Sequence, residues 1–130
     1  MEYRAAGRRC AVDFESLQLP MSNHEAKRAL IEKGFNIIDL DIIALASSCI
    51  GTSRYRRGAN PSEAPLIVDC SSFVKWVYAQ VGIWLPRRSI QQREIGQAMS
   101  LEEICGGDLV FTSGYIDYFH SDPDDGVGHV

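Results

Sequence analysis

The chain has 130 residues, 45% of them apolar, with a formal net charge of −4 and a pI near 5.3. That length gives room for one domain, the apolar share supplies a core, and the acidic balance argues against a general nucleic-acid binder. No run approaches the ~18 consecutive apolar residues of a membrane span. Arg4, Arg8 and Arg9 have no apolar stretch behind them, so the start does not read as a secretory signal. The expectation is a protein that stays inside the cell or a piece of a longer chain.

In chain order, residues 1–20 read as a loose segment with at most one short strand or turn. Ser22 and Glu25 have the spacing of a capping box, Ala26, Ala29 and Leu30 follow on one face, and Gly34 offers a stop; this predicts a helix over 23–33. Asp39 can cap a second helix over 40–50, with Ile42, Ile43, Leu45, Ala46, Cys49 and Ile50 as its apolar stripe. Residues 51–68, with Gly51, Gly58, Pro61, Pro65 and three arginines, read as one long loop.

A third helix is predicted over 70–81. Asp69 is its cap, and Phe73, Val74, Val77, Tyr78 and Val81 lie at helical spacing. A weaker fourth helix is expected over 88–98, then a turn at Gly106-Gly107-Asp108, a strand over 109–112, a polar loop over 113–126 and the start of a strand from Val127. Helices first and strands last give an α+β class. One or two short strands are too few for a stable sheet, so the sheet is expected to continue past Val130 or to be completed by a partner.

The chain has four cysteines, Cys10, Cys49, Cys70 and Cys105, with no C-x-x-C pair, so a zinc ribbon or a thioredoxin-type motif is excluded. Cys70 falls in the first turn of a predicted helix, where free N–H groups and the macrodipole favour a thiolate nucleophile. The alternative is a small buried hydrophobe on the face of Phe73, Val74 and Val77. Cys49, in mid-face of an apolar helix, reads as core. His129 sits on the last predicted strand. A lone histidine there is usually structural, and it gains weight because a helix-start cysteine exists to pair with it. His24 and His120 read as surface residues. The aspartates at 117, 122, 124 and 125 lack the bidentate glutamate of a calcium loop and read as solvated. Arg87 and Arg88 also read as solvated, or as able to meet carboxylates of an acidic ligand.

Six motifs in order carry a resemblance. They are Tyr55-Arg56-Arg57-Gly58, Asp69-Cys70-Ser71-Ser72-Phe73, the stretch from Gly82 through Trp84-Leu85-Pro86-Arg87 to Ser89, then Gln92, Gly107-Asp108-Leu109-Val110-Phe111 and Gly128-His129-Val130. Together they resemble the NlpC-type cell-wall cysteine peptidases across residues 51–130. The resemblance implies a papain-like α+β fold with an antiparallel sheet and a peptidase domain over 40–130, preceded by an N-terminal segment over 1–39. It implies hydrolysis of peptidoglycan stem peptides, typically between D-glutamate and a diamino acid, with no metal or organic cofactor. Cys70 would be the nucleophile and His129 the general base. Tyr55, Asp69, Ser71 and Ser89 match positions that line the substrate pocket, Asp69 and Tyr55 holding a free peptide amine in some members. The family's third catalytic group lies on strands after the histidine, so the chain is expected to be truncated. The alternatives are a module that binds wall peptide without turnover, and a fragment inactive without further strands.

Overall fold

The computed structural model describes residues 9–10, 18–37, 40–112 and 129–130. Strand β1 is Arg9–Cys10, helix α1 is Asn23–Glu32, and strand β2 is Asn36–Ile37. The capping box that starts α1 is formed: the Glu25 N–H donates to Ser22 Oγ at 3.3 Å and the Ser22 N–H to Glu25 Oε2 at 3.0 Å. At its end Gly34 takes φ +83°, and the Phe35 N–H reaches back to the Leu30 carbonyl at 3.0 Å. Ala26 is the buried residue of this helix and Ala29 is exposed, so the apolar face is narrower than its sequence suggests.

Helix α2 is Ile42–Ser48, shorter than the expected 40–50. Its cap is Asp41, whose Oδ1 accepts from the N–H groups of Ile43 at 2.8 Å and Ala44 at 3.1 Å. Asp39, the expected cap, lies outside the described residues. Cys49 is buried, as its place in the pattern predicts, whereas Ile43 and Ile50 are exposed.

The expected long loop contains structure. Strand β3 (Arg54–Tyr55) pairs with strand β4 (Ile67–Val68), and Pro61–Glu63 form a 3₁₀ turn capped by Asn60. Both two-stranded sheets are parallel: Arg9 and Cys10 of β1 face Asn36 and Ile37 of β2, and Arg54 and Tyr55 of β3 face Ile67 and Val68 of β4. This corrects the antiparallel expectation for them, and the connections give the reason. Each pair is joined by a segment long enough to carry the chain back to its starting side rather than by a tight turn. An isolated bridge between Thr112 and His129 is antiparallel. In the strand expected over 109–112, Thr112 is the residue that pairs; Leu109–Phe111 carry no strand pairing. The polar loop over 113–126 and the residues at 127–128 lie outside the described residues.

Helix α3 is Cys70–Gln80 and helix α4 is Ser89–Ile95. α3 is the hub: it packs against α2, β4, α4 and the 3₁₀ turn. Val77, Val81, Leu85, Val68 and Ala59 are buried around it. Gly82 takes φ +83° and the Ile83 N–H caps the Tyr78 carbonyl at 3.0 Å, closing α3 where the sequence predicts. Lys75 crosses from α3 to donate to the Leu85 carbonyl while its ammonium lies 4.5 Å from the Trp84 ring centre. Burial and the neighbouring Arg87 charge both lower the pKa of that ammonium. The class is α+β, with four helices and small sheets among the described residues.

Candidate active site

The site is built on the junction between β4 and α3. The chain leaves Val68 in extended backbone, and Asp69 turns it into the helix with φ −111° and ψ 179°. Asp69 Oδ1 accepts from the Ser72 N–H at 2.9 Å, and the Asp69 N–H donates to Ser72 Oγ at 2.8 Å. This reciprocal cap, with a serine in place of the usual glutamate, fixes the first turn. Ser72 is fully buried and Ser71 and Asp69 nearly so. Cys70 is the first helical residue and is partly exposed. Its position leaves its own backbone N–H outside the intrahelical ladder.

Asp69 does more than cap. Arg87 reaches it from the segment after α3, donating from Nη1 to Oδ1 at 3.0 Å and from Nη2 to Oδ2 at 2.5 Å. The same guanidinium donates to Ser71 Oγ at 2.9 Å and to the Ala59 carbonyl at 2.7 Å. The Gly58 N–H adds a bond to Asp69 Oδ2 at 3.1 Å. Gly58 has φ +71°, a left-handed conformation that suits glycine and aims its N–H at the carboxylate. Burial pushes the Asp69 carboxyl up, but the bonds from Arg87 and Ser72 outweigh it and hold the group below the usual carboxylate range.

Gln92 ties α4 to the same turn. It is 2% exposed, and its Nε2 donates to the Ser71 and Pro86 carbonyls, both at 2.9 Å, while its Oε1 has no partner among the described residues. Ser89 opens α4. Tyr55 is exposed on β3, and its register partner Val68 directly precedes Asp69. The Arg56 N–H continues the pairing to the Val68 carbonyl at 2.8 Å, and the Arg56 side chain pairs with Glu63 of the 3₁₀ turn.

Asp69, Cys70 and Ser71 thus share one turn, with Tyr55 beside it through β3–β4 pairing and Ser89 linked through α4. His129 is exposed and is held through its backbone, which exchanges two 3.0 Å bonds with Thr112. Upstream of Thr112, Gly107 turns at φ +101°, and Cys105 N–H and Sγ donate to Asp108 Oδ2 at 2.8 and 3.3 Å. The thiol bond to Asp108 and the Asp108 charge raise the pKa of Cys105, which disfavours its thiolate.

The reading of Arg87 as a solvated side chain is corrected: its charge is spent inside the chain, on Asp69. A buried aspartate at a helix cap needs a counter-charge, but nothing in the sequence marks Asp69 as buried or Arg87 as its partner. Arg88, in contrast, is exposed. A cavity of about 530 Å³ lies elsewhere, between α4 and the chain up to Phe111, with Tyr78, Met99, Leu101 and Ile104 in its lining. None of Tyr55, Asp69, Cys70, Ser71 and Ser89 lines it; Gln92, which bonds the Ser71 carbonyl, does. Among the described residues no group of three or more His, Cys, Asp or Glu is arranged to hold a metal ion, and no helix is long and apolar enough to cross a membrane.

The sequence profile of the NlpC/P60 family matches residues 51–124, which run from the end of α2 through the capped cysteine and beyond Thr112. The chain belongs to the NlpC/P60 family. Among curated relatives, the peptidoglycan DL-endopeptidase CwlO of Bacillus licheniformis is 35% identical over 101 residues, which cover 74% of this chain and 22% of that protein. The gamma-DL-glutamyl hydrolase of Bacillus subtilis is 36% identical over 76 residues, 58% of this chain and 18% of its own length. The murein DD-endopeptidase MepS/murein LD-carboxypeptidase of Escherichia coli K12 is 38% identical over 58 residues, 44% of this chain and 29% of its own. In each case this chain spans less than a third of the NlpC/P60 relative. No solved structure gives a significant match.

Proposed function

We propose that this chain is a cysteine peptidase that hydrolyses peptidoglycan stem peptides at the bond between D-glutamate and a diamino acid. The observation that carries the reading is Cys70 itself: a partly exposed thiol at the first position of α3, behind a doubly bonded aspartate cap, in a chain of the NlpC/P60 family. His129 takes the thiol proton, the sulfur attacks the amide carbonyl, and the leaving amine takes a proton from the imidazolium. Water then resolves the acyl-enzyme. The Cys70 N–H at the helix start is the donor for the oxyanion. Tyr55 and Ser89 line the substrate pocket, and Asp69 and Ser71 shape it through their bonds to Arg87. The peptidase domain is residues 40–130, in a papain-like arrangement, with residues 1–39 as a preceding segment.

The names of the Bacillus relatives, a DL-endopeptidase and a gamma-DL-glutamyl hydrolase, support the D-glutamyl bond. The Escherichia relative carries DD-endopeptidase and LD-carboxypeptidase in its name, which supports a second reading of the bond. A panel of stem peptides, followed by mass spectrometry of the products, tests both. The expected product pair separates D-glutamate from the diamino acid. Cys70→Ala is expected to abolish turnover with the thermal transition retained. Cleavage by the alanine variant would refute the cysteine mechanism, and cleavage at a D,D or L,D bond would overturn the choice of bond.

A further inference from the structure

The bonding around Arg87 exceeds what a surface ion pair needs. One guanidinium makes four hydrogen bonds to three separate places: both oxygens of Asp69, the Ser71 hydroxyl and the Ala59 carbonyl. The Asp69 side chain is 9% exposed and that of Arg87 33%. Planar, two-pronged pairing of this kind is what arginine supplies and lysine does not. The residue between Asp69 and Ser71 is Cys70. A carboxylate one position before a thiol would, left alone, oppose the negative charge that the helix start favours.

We infer that Arg87 is a positioning residue for the Cys70 thiol. It cancels the charge of Asp69, the residue next to the thiol in the chain, and locks the first turn of α3 to the chain at Gly58-Ala59, so that turn carries no net negative charge into the site. The inference rests on Cys70 being the reactive group, and it deepens that reading by assigning its electrostatic support. Other charges lie on α3 and on the elements packed against it. Glu63 of the 3₁₀ turn pairs with Arg56, Asp41 caps α2, and Lys75 lies one turn into α3 and is engaged by the Leu85 carbonyl. α4 carries Arg93 and Glu94, and Arg88 precedes it.

The test reads the field at the sulfur. Cys70 is alkylated with neutral iodoacetamide and with anionic iodoacetate, each reaction displacing iodide, and the rate at the Cys70 peptide is followed by mass spectrometry. The ratio of the two rates reports local charge and cancels changes in exposure, which affect both reagents alike. Arg87→Met is expected to lower the iodoacetate-to-iodoacetamide ratio by about three- to tenfold. Asp69→Asn, which keeps a capping oxygen, is expected to raise it. The double variant is expected to return it to within about twofold of the native value. A ratio unchanged in Arg87→Met and Asp69→Asn, with both reagents sped up equally, would overturn the inference and leave Arg87 a packing residue. Should Arg87→Met fail to fold, Asp69→Asn and Arg87→Lys decide it: a ratio unmoved by Asp69→Asn overturns the inference. The measurement uses no peptide substrate, so its result stands apart from whether the chain cleaves wall peptide.

Discussion

Removing the Asp69 carboxylate is the perturbation with the most separable consequences. In Asp69→Ala the Ser72 N–H and the Gly58 N–H lose their acceptor, and Arg87 loses two of its four bonds. Loss of the cap costs about 1 kcal/mol. Breaking a fully buried pair from one side costs roughly 3–5 kcal/mol, but the Arg87 side chain is one-third exposed and water takes up part of that loss. A net destabilisation of about 3 kcal/mol is expected, a fall in melting temperature of roughly 10 °C for a domain of this size. Asp69→Asn keeps a side-chain oxygen for the cap and loses the charge, so it is expected to cost about half as much. The difference between native and Asn proteins also depends on pH. The folded carboxyl lies below its unfolded value, so its stabilisation is fully present above the unfolded pKa and is lost as pH falls from there through the lower folded one. Thermal unfolding of the native, Ala, Asn, Arg87→Met and double-variant proteins from pH 7 down to acid gives both numbers. A loss under about 1 kcal/mol for Asp69→Ala, with no coupling to Arg87 in the cycle, would refute the reasoning and reduce the contact to a screened ion pair.

Three further outcomes are expected. Gln92→Leu keeps the volume but leaves the Ser71 and Pro86 carbonyls without their side-chain donor, and removal of the unpartnered Oε1 offsets only part of that; chemical denaturation is expected to read a loss of about 2 kcal/mol. Gly58→Ala meets no atom within 4 Å of the added carbon, so its cost is that of the left-handed backbone, about 1–2 kcal/mol by the same measurement, with no steric component. Tyr78→Phe removes the hydroxyl bond from α3 to the Gly107 carbonyl and is expected to cost about 1 kcal/mol, with hydrogen exchange rising first around residues 105–108.

The features legible in the sequence were local ones. The Ser22–Glu25 box, the Asp69 cap and the glycine stops at Gly34 and Gly82 depend on groups within six residues of one another, and each forms at its expected place. The second helix shows the edge of that reach. Two aspartates, at 39 and 41, precede the same apolar run, and spacing alone does not say that Asp41 is the cap. Exposure of Ile43 and Ile50 likewise depends on which faces of α2 other elements cover. The β3–β4 pairing was hidden because its strands are two residues long and lie apart on either side of a proline-containing stretch, too short for a period to register. In the site, the helix-start thiol was readable from spacing. The guanidinium that supports it was not, since Arg87 stands eighteen positions from Asp69 and its neighbours in sequence gave no hint of burial.

The parallel pairing of β3 with β4 has a consequence for how such a chain can vary. Two strands that run the same way release the backbone at the same end, so the residues after Tyr55 and those after Val68 emerge side by side. Gly58 and Ala59 are then tethered, by Asp69 and Arg87 respectively, while the 3₁₀ turn beyond them folds back onto α3 and β4 and pairs its Glu63 with Arg56. The far end of the stretch is moored as well, with Ser53 Oγ donating to the Pro65 carbonyl and the Arg54 N–H to the Leu66 carbonyl. The spacing between the tyrosine and the cysteine-bearing turn is thereby set by the strand pairing and these tethers, and not by the length of chain that joins them.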